Sequence, residues 1–211
     1  MQTGRTGCEE RKGIPGMKKL VCLVLVLLCF VAVAAAESVP SKSTADMVVV
    51  TEIVTEDGTV VPGLVVEAVT DPVAYEKAVE VCSQEIEKLV ASTSVEEYFG
   101  EVRDTEGNVV SLTEALGAEN VTVNEFVPVV VDNYNAELGN VKVSFKFSTP
   151  YEAGKKVVVL VGIVDPLTGE VEWVALEGEG TGDDGAIAVE FTPEVLEAIQ
   201  SGTAMMAVVS A

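Results

Sequence analysis

Val141-Lys142-Val143-Ser144-Phe145-Lys146-Phe147-Ser148 alternates apolar and polar side chains at every step. Successive residues of a strand point to opposite faces, so this register describes a strand with one face buried and the other wet. The chain around it continues the pattern. Lys156 to Val164 is nearly continuous in Val, Leu and Ile, which fits a central strand buried on both sides. Asp165-Pro166-Leu167-Thr168-Gly169 is a compact connection into Glu170 to Leu176, where Val171 and Trp173 should face inward and Glu172 outward. Ala186 to Phe191 puts Ile187, Val189 and Phe191 on one face. Thr192-Pro193 should cap and open a short helix through Gln200, and Thr203 to Val209 reads as a terminal strand. The polar, glycine-rich stretch Gly178 to Gly185 is expected to be a flexible connector. It lacks the Lys-Ser/Thr ending of a phosphate-binding loop.

Upstream, Val121 to Val131 is strand-like, with Pro128 pointing to an edge or an irregularity. These elements give 119–211 as a mainly antiparallel, β-sandwich-like module with one short crossover helix. Residues 37–118 read as a smaller helix-containing α+β module. Met47 to Thr55 and Val65 to Thr70 favour strands. Asp71-Pro72 opens a helix that runs to about Val90, with Tyr75, Val79, Cys82, Ile86 and Leu89 as its apolar stripe. Glu101 to Leu112 resembles a hairpin around Thr105 to Asn108. Ser111-Leu112-Thr113-Glu114 matches a capping box for a short helix that ends at Gly117. The fold class is therefore α+β.

At the other end of the chain, Met17-Lys18-Lys19, the apolar run Leu20 to Ala35 and the Ala34-Ala35-Ala36 exit form a secretory signal pattern. Met17 is read as the start, residues 1–16 as mistranslated upstream sequence, and Glu37 as the first mature residue. These features, with the β-rich Val141 to Val209 region, are similar to small secreted proteins of Gram-positive bacteria, a likeness too general to carry functional residues across. The expected location is extracellular, with cell-surface association open and no stable membrane insertion after cleavage.

Removing 36 of 211 residues leaves 175, with 32 acidic and 8 basic side chains and a formal charge of -24. Such a surface repels nucleic-acid phosphates and anionic lipid, so no nucleic-acid partner is expected. Disorder is not implied, because the whole chain is 48% apolar. Cys82 is the single cysteine left after cleavage, so the monomer has no internal disulfide. It lies on an apolar stripe and reads as core packing. Histidine is absent, which removes His-based triads and the usual His-containing zinc sites.

Glu96-Glu97, Asp104-Glu106 and Asp183-Asp184 concentrate oxygen ligands of the kind calcium favours, but none has the spacing of a helical calcium hand. They read as solvated surface, and no cofactor is expected. Asp57, Asp132 and Asp165 read as turn formers. Asn120-Val121-Thr122 is formally a glycosylation acceptor and reads as a chance occurrence. Tyr134 and Tyr151 flank loops beside the β-rich region. Together with Thr181, Asp183 and Asp184 they make up the expected contact surface. The sequence thus implies a secreted, non-catalytic binding or structural module for a protein or cell-surface partner. The alternative is a secreted hydrolase using paired carboxylates, which needs two of them across a cleft.

Overall fold

The computed structural model describes residues 48–69, 73, 75–147, 150–182 and 185–211. The signal segment, the Asp71-Pro72 helix opening, and Asp183-Asp184 lie outside the described residues. In chain order the elements are β1 (Val49–Thr55), β2 (Val65–Ala68), α1 (Glu76–Ala91), α2 (Val95–Phe99), β3 (Val102–Asp104), β4 (Val109–Val110) and α3 (Leu112–Leu116). They continue as β5 (Thr122–Asp132), β6 (Val141–Lys146), β7 (Lys156–Val164), β8 (Val171–Gly180), β9 (Ala186–Phe191), α4 (Pro193–Ser201) and β10 (Thr203–Ser210), with a 3-10 turn at Ala136–Leu138 before β6.

Among the described residues ten strands form one sheet, whose main path runs β1-β6-β9-β8-β7-β10-β5-β2. Every pairing on that path is antiparallel. β3 pairs antiparallel with β4 and adds to β8 in parallel. Strands from both sides of the 118/119 boundary are hydrogen-bonded into this one sheet. The two ends of the path, β1 and β2, come close together, so the sheet curls into a nearly closed barrel. The facing layers expected for 119–211 are opposite walls of this single curled sheet.

The curl creates two cores. One fills the barrel with Val127, Val129, Val143, Phe145, Val159, Val161, Ile187, Val189, Phe191, Met206 and Val208. Val195, Leu196 and Ile199 of α4 close one end of it. The other core lies on the outer face of β5, β10, β7 and β8, where Cys82, Leu89, Val95 and Phe99 of α1 and α2 pack on Phe126, Leu160, Trp173, Met205 and Ala207. Covered on both faces, β7 and β10 have no wet side, which is why they read as unbroken apolar runs.

Trp173 is buried as expected, beneath the helices, with Phe99 edge-on at 4.8 Å and Phe126 at 5.8 Å between ring centroids. Cys82 is likewise buried. Ser111 caps α3 by accepting from the Glu114 N–H, and Gly117 ends that helix in the left-handed conformation. Asp165 accepts from the N–H groups of Leu167 (2.7 Å) and Thr168 (3.2 Å), closing the β7-β8 turn.

Two expectations are corrected. Gly178 to Gly180 belongs to β8, opposite Val189 to Ile187 of β9. Glycine disfavours strands, but a Cβ on Gly178 would stand 2.7 Å from Val157 Cγ2, so the inward positions of Glu177-Gly178-Glu179-Gly180 have room for little else. Thr192 does not cap α4 through its side chain. Its carbonyl takes the Leu196 N–H at 3.1 Å, while its buried hydroxyl has no partner among the described residues. Pro128 fits within β5 because its carbonyl, accepting from Val69 N–H at 2.9 Å, points to the side where β2 has already ended. The missing N–H lies on that same side and costs the β10 ladder nothing.

Candidate functional site

Of the expected contact residues, Tyr134 and Tyr151 are buried, Thr181 is exposed, and Asp183 and Asp184 lie outside the described residues. Tyr134, expected at the surface, is 7% exposed. Its hydroxyl donates to the Gly139 carbonyl at 3.0 Å, and its N–H donates to Gln200 Oε1 at 2.7 Å, tying the loop after β5 to α4. Burial, with Glu197 and Glu194 of α4 nearby, holds its phenol above the usual range. Tyr151 is also 7% exposed and sits in the barrel core against Phe147. Both rings pack their apolar bodies inward, so neither offers much area to a partner. Thr181 is exposed after β8, and its hydroxyl donates to the Ala186 carbonyl at 3.3 Å.

Among the described acidic residues, Asp104 and Glu97 act on their own loops. Asp104 accepts from the N–H groups of Glu106 (2.9 Å) and Asn108 (2.8 Å), and these interactions, led by the Asn108 side chain, hold its carboxyl below the usual range. Glu97 accepts from the Thr93 hydroxyl and from its N–H at 2.8 Å, and is lowered in the same way. Asp57 accepts from the Thr55 hydroxyl and the Thr59 N–H, an ordinary turn. Among the described residues no three metal-ligating side chains converge.

The sheet offers a different surface. Helices cover its outer face over β5, β10 and β7, while toward β9 and β6 that face carries exposed Glu177, Glu179, Glu190 and Lys142. The register sets Lys156 opposite Glu179, Glu179 opposite Ala188, Ala188 opposite Ser144 and Ser144 opposite Glu52, a row across five strands. Lys142 stands opposite Glu190, which accepts from Asn140 Nδ2 at 2.7 Å. At the centre of this strip Ser144 is buried and Ala188 half-buried, with exposed charged side chains around them.

Two buried carboxyls escaped the sequence reading. Glu85 lies under α1, accepting from Tyr98 Oη at 2.9 Å and Lys88 Nζ at 2.6 Å. The spacing Cys82, Glu85, Leu89 already places it on the apolar stripe. Burial, and after it the Glu85 charge, pushes the Cys82 thiol up to about 12. Glu125 lies on the barrel side of β5, and burial pushes its carboxyl up to about 7. Its signal was the alternation Glu125, Val127, Val129, Val131. The two acids face opposite sides of the sheet and form no pair.

These features define the chain as an acidic α+β protein built on a strongly curled antiparallel sheet. Comparison with protein-family models, with curated proteins and with solved structures gives no match. No helix among the described residues is long and apolar enough to cross a membrane.

Proposed function

We propose that this protein is an extracellular, non-catalytic binding module whose contact surface is the outer strip of β8, β9, β6 and β1. The leading support is the row from Lys156 through Glu179, Ala188 and Ser144 to Glu52. It sits on a curled sheet whose interior is packed with apolar side chains, so the barrel-like body acts as a rigid support. The chemistry of the strip, small residues ringed by Glu52, Glu177, Glu179 and Glu190 with Lys142 and Lys156 among them, suits a protein or cell-wall partner whose basic groups meet the carboxylates. Export follows from the Met17 to Ala36 signal pattern, and a formal charge of -24 on the mature chain keeps it off anionic membranes.

The alternative, a hydrolase using paired carboxylates, needs two acids converging on a cleft. Glu85 and Glu125 face apart, and the wide, shallow depression beside α3, lined by Thr113, Glu114, Gly117, Ala118 and Glu119, carries its two carboxylates, Glu114 and Glu119, exposed to solvent. The test is retention of the labelled protein on native cells and cell-wall fractions. Glu177→Lys/Glu179→Lys/Glu190→Lys should abolish retention, while Glu76→Lys/Glu80→Lys/Glu87→Lys on α1 should leave it largely intact. Equal loss in both variants would reduce the interaction to bulk charge and reject the strip.

A further inference from the structure

The first half of β5 contains an irregularity with a consequence. β5 and β10 pair residue for residue from Val129 opposite Ala204 to Glu125 opposite Val208, and the next pair is Val123 with Val209. Asn124 is the extra residue of a bulge, and a bulge reverses which side chains face in. Before it, Val121 and Val123 join the helix-covered core; after it, Val127, Val129 and Val131 join the barrel core. Glu125 is the first of the inward series and is 3% exposed. Burial is the one influence acting on its carboxyl, with no hydrogen bond from a described residue. A carboxylate held in this way has lost most of its water with no hydrogen bond from the protein in return.

Residues 150–155 cross the barrel end beside it, opposite the end filled by α4. This strap is fastened by Tyr151 N–H to the Gly185 carbonyl, Gly154 N–H to the Gly180 carbonyl and Gly180 N–H to the Lys155 carbonyl, each at 2.9 Å. It lies so close to the β8-β9 connection that a Cβ on Gly180 would stand 2.0 Å from the Glu152 carbonyl oxygen, and one on Gly185 2.4 Å from Pro150 Cβ. Tyr151 hangs from the strap into the core, and its buried hydroxyl has no hydrogen-bond partner among the described residues. Burial, then the neighbouring Glu125 charge, keeps that phenol above its usual range, with the nearby Asn124 side chain acting in the opposite direction.

We propose that Glu125 and Tyr151 form a proton-operated latch, in which protonated Glu125 keeps the 150–155 strap seated and loss of that proton loosens it.

The surroundings of Glu125 are poor in compensating charge. Opposite it on β10, Val208 is apolar. Asn124 and Ser210 are neutral and bonded to each other, Asn124 Nδ2 to Ser210 Oγ at 2.7 Å. On the strap, Lys155 Nζ is engaged with the Ala211 carbonyl at 3.1 Å, and Glu152 is exposed. On β8, Glu179 lies outward, near Gly154. Lifting the strap hydrates the carboxylate while leaving the β5-β10 ladder whole, so it is the least disruptive response to ionisation. Because the folded-state value is raised to about 7 from 4.5, the seated form is fully favoured below about pH 4.5. It weakens as pH climbs through about 7 and is constant above that.

Native-state hydrogen exchange, corrected for intrinsic rates, tests the latch at about pH 5.5 and about pH 8.5. Protection of the Tyr151 and Gly154 amides should fall at least about tenfold relative to the α4 amides. In Glu125→Gln it should stay high at both values. Unchanged protection in the wild type, or the same fall in Glu125→Gln, would overturn the proposal. Should the variant fold poorly, NMR titration of the wild-type Glu125 carboxyl decides: a midpoint above about 6 that moves with the Tyr151 resonances supports the latch, and any other result overturns it.

Discussion

Val159 and Leu160 are neighbours on β7, both 0% exposed, yet they belong to different cores: Val159 faces the barrel and Leu160 faces the helices. In a strand wet on one side, truncating one of two neighbours is nearly silent. Here both should be costly. Leu160→Ala removes a fully buried side chain and should cost about 3 kcal/mol, within the roughly 2 to 5 kcal/mol seen for such truncations. Val159→Ala deletes two carbons at about 0.8 kcal/mol each and adds a residual cavity, for about 2 kcal/mol. With a urea dependence of about 2 kcal/mol per molar, the midpoints should fall by about 1.5 M and about 1 M. Val109→Ala, at an exposed position of β4, should stay within about 0.5 kcal/mol. Equilibrium urea unfolding followed by Trp173 fluorescence measures all three. If either Val159→Ala or Leu160→Ala behaves like Val109→Ala, the sheet is not covered on both faces and the protein lacks the two-core architecture.

Gly162→Ala should lower stability by about 1 to 3 kcal/mol, because the new methyl would stand 2.7 Å from Trp173 Cζ3 and 2.8 Å from Val171 Cγ1; a thermal melt matching the wild type would contradict this. Cys82, its thiol pushed up to about 12 by burial and by Glu85, should resist a thiol reagent at pH 8 in the folded protein and react at once in denaturant. Glu125→Gln should gain stability over the wild type as pH rises from about 4.5 to above 7, by up to about 3 kcal/mol. The sign follows from a raised folded-state value, and urea midpoints at both ends of that window measure it.

Local pattern located most of the elements. The alternation from Val141, the apolar run of β7 and the Ser111 capping box each specify local backbone geometry through their own side chains, and the structure places a strand, a strand and a capped helix there. The sheet order was not legible. That β10 lies between β5 and β7 depends on pairings across as many as 80 or more residues, with Ala204 opposite Val129 and Ser210 opposite Thr122. The glycines of β8 hid a strand because their role is to make room for Val157 and Glu152, which are distant in sequence. Tyr134 and Tyr151 looked like surface residues because they flank loops, but each loop folds back over a barrel end and carries its ring inside. Glu85 and Glu125 stood in apolar registers from the start. Their charge outweighed their spacing, and the partner that explains Glu85, Tyr98, comes from the next helix.

The functional account stands or falls on where the native chain is found and where it begins. Recovery of the native protein and sequencing of its N-terminus is the direct measurement. The account predicts a folded chain outside the cell that starts at Glu37. A cytosolic chain still carrying Met17 to Ala36 would contradict it.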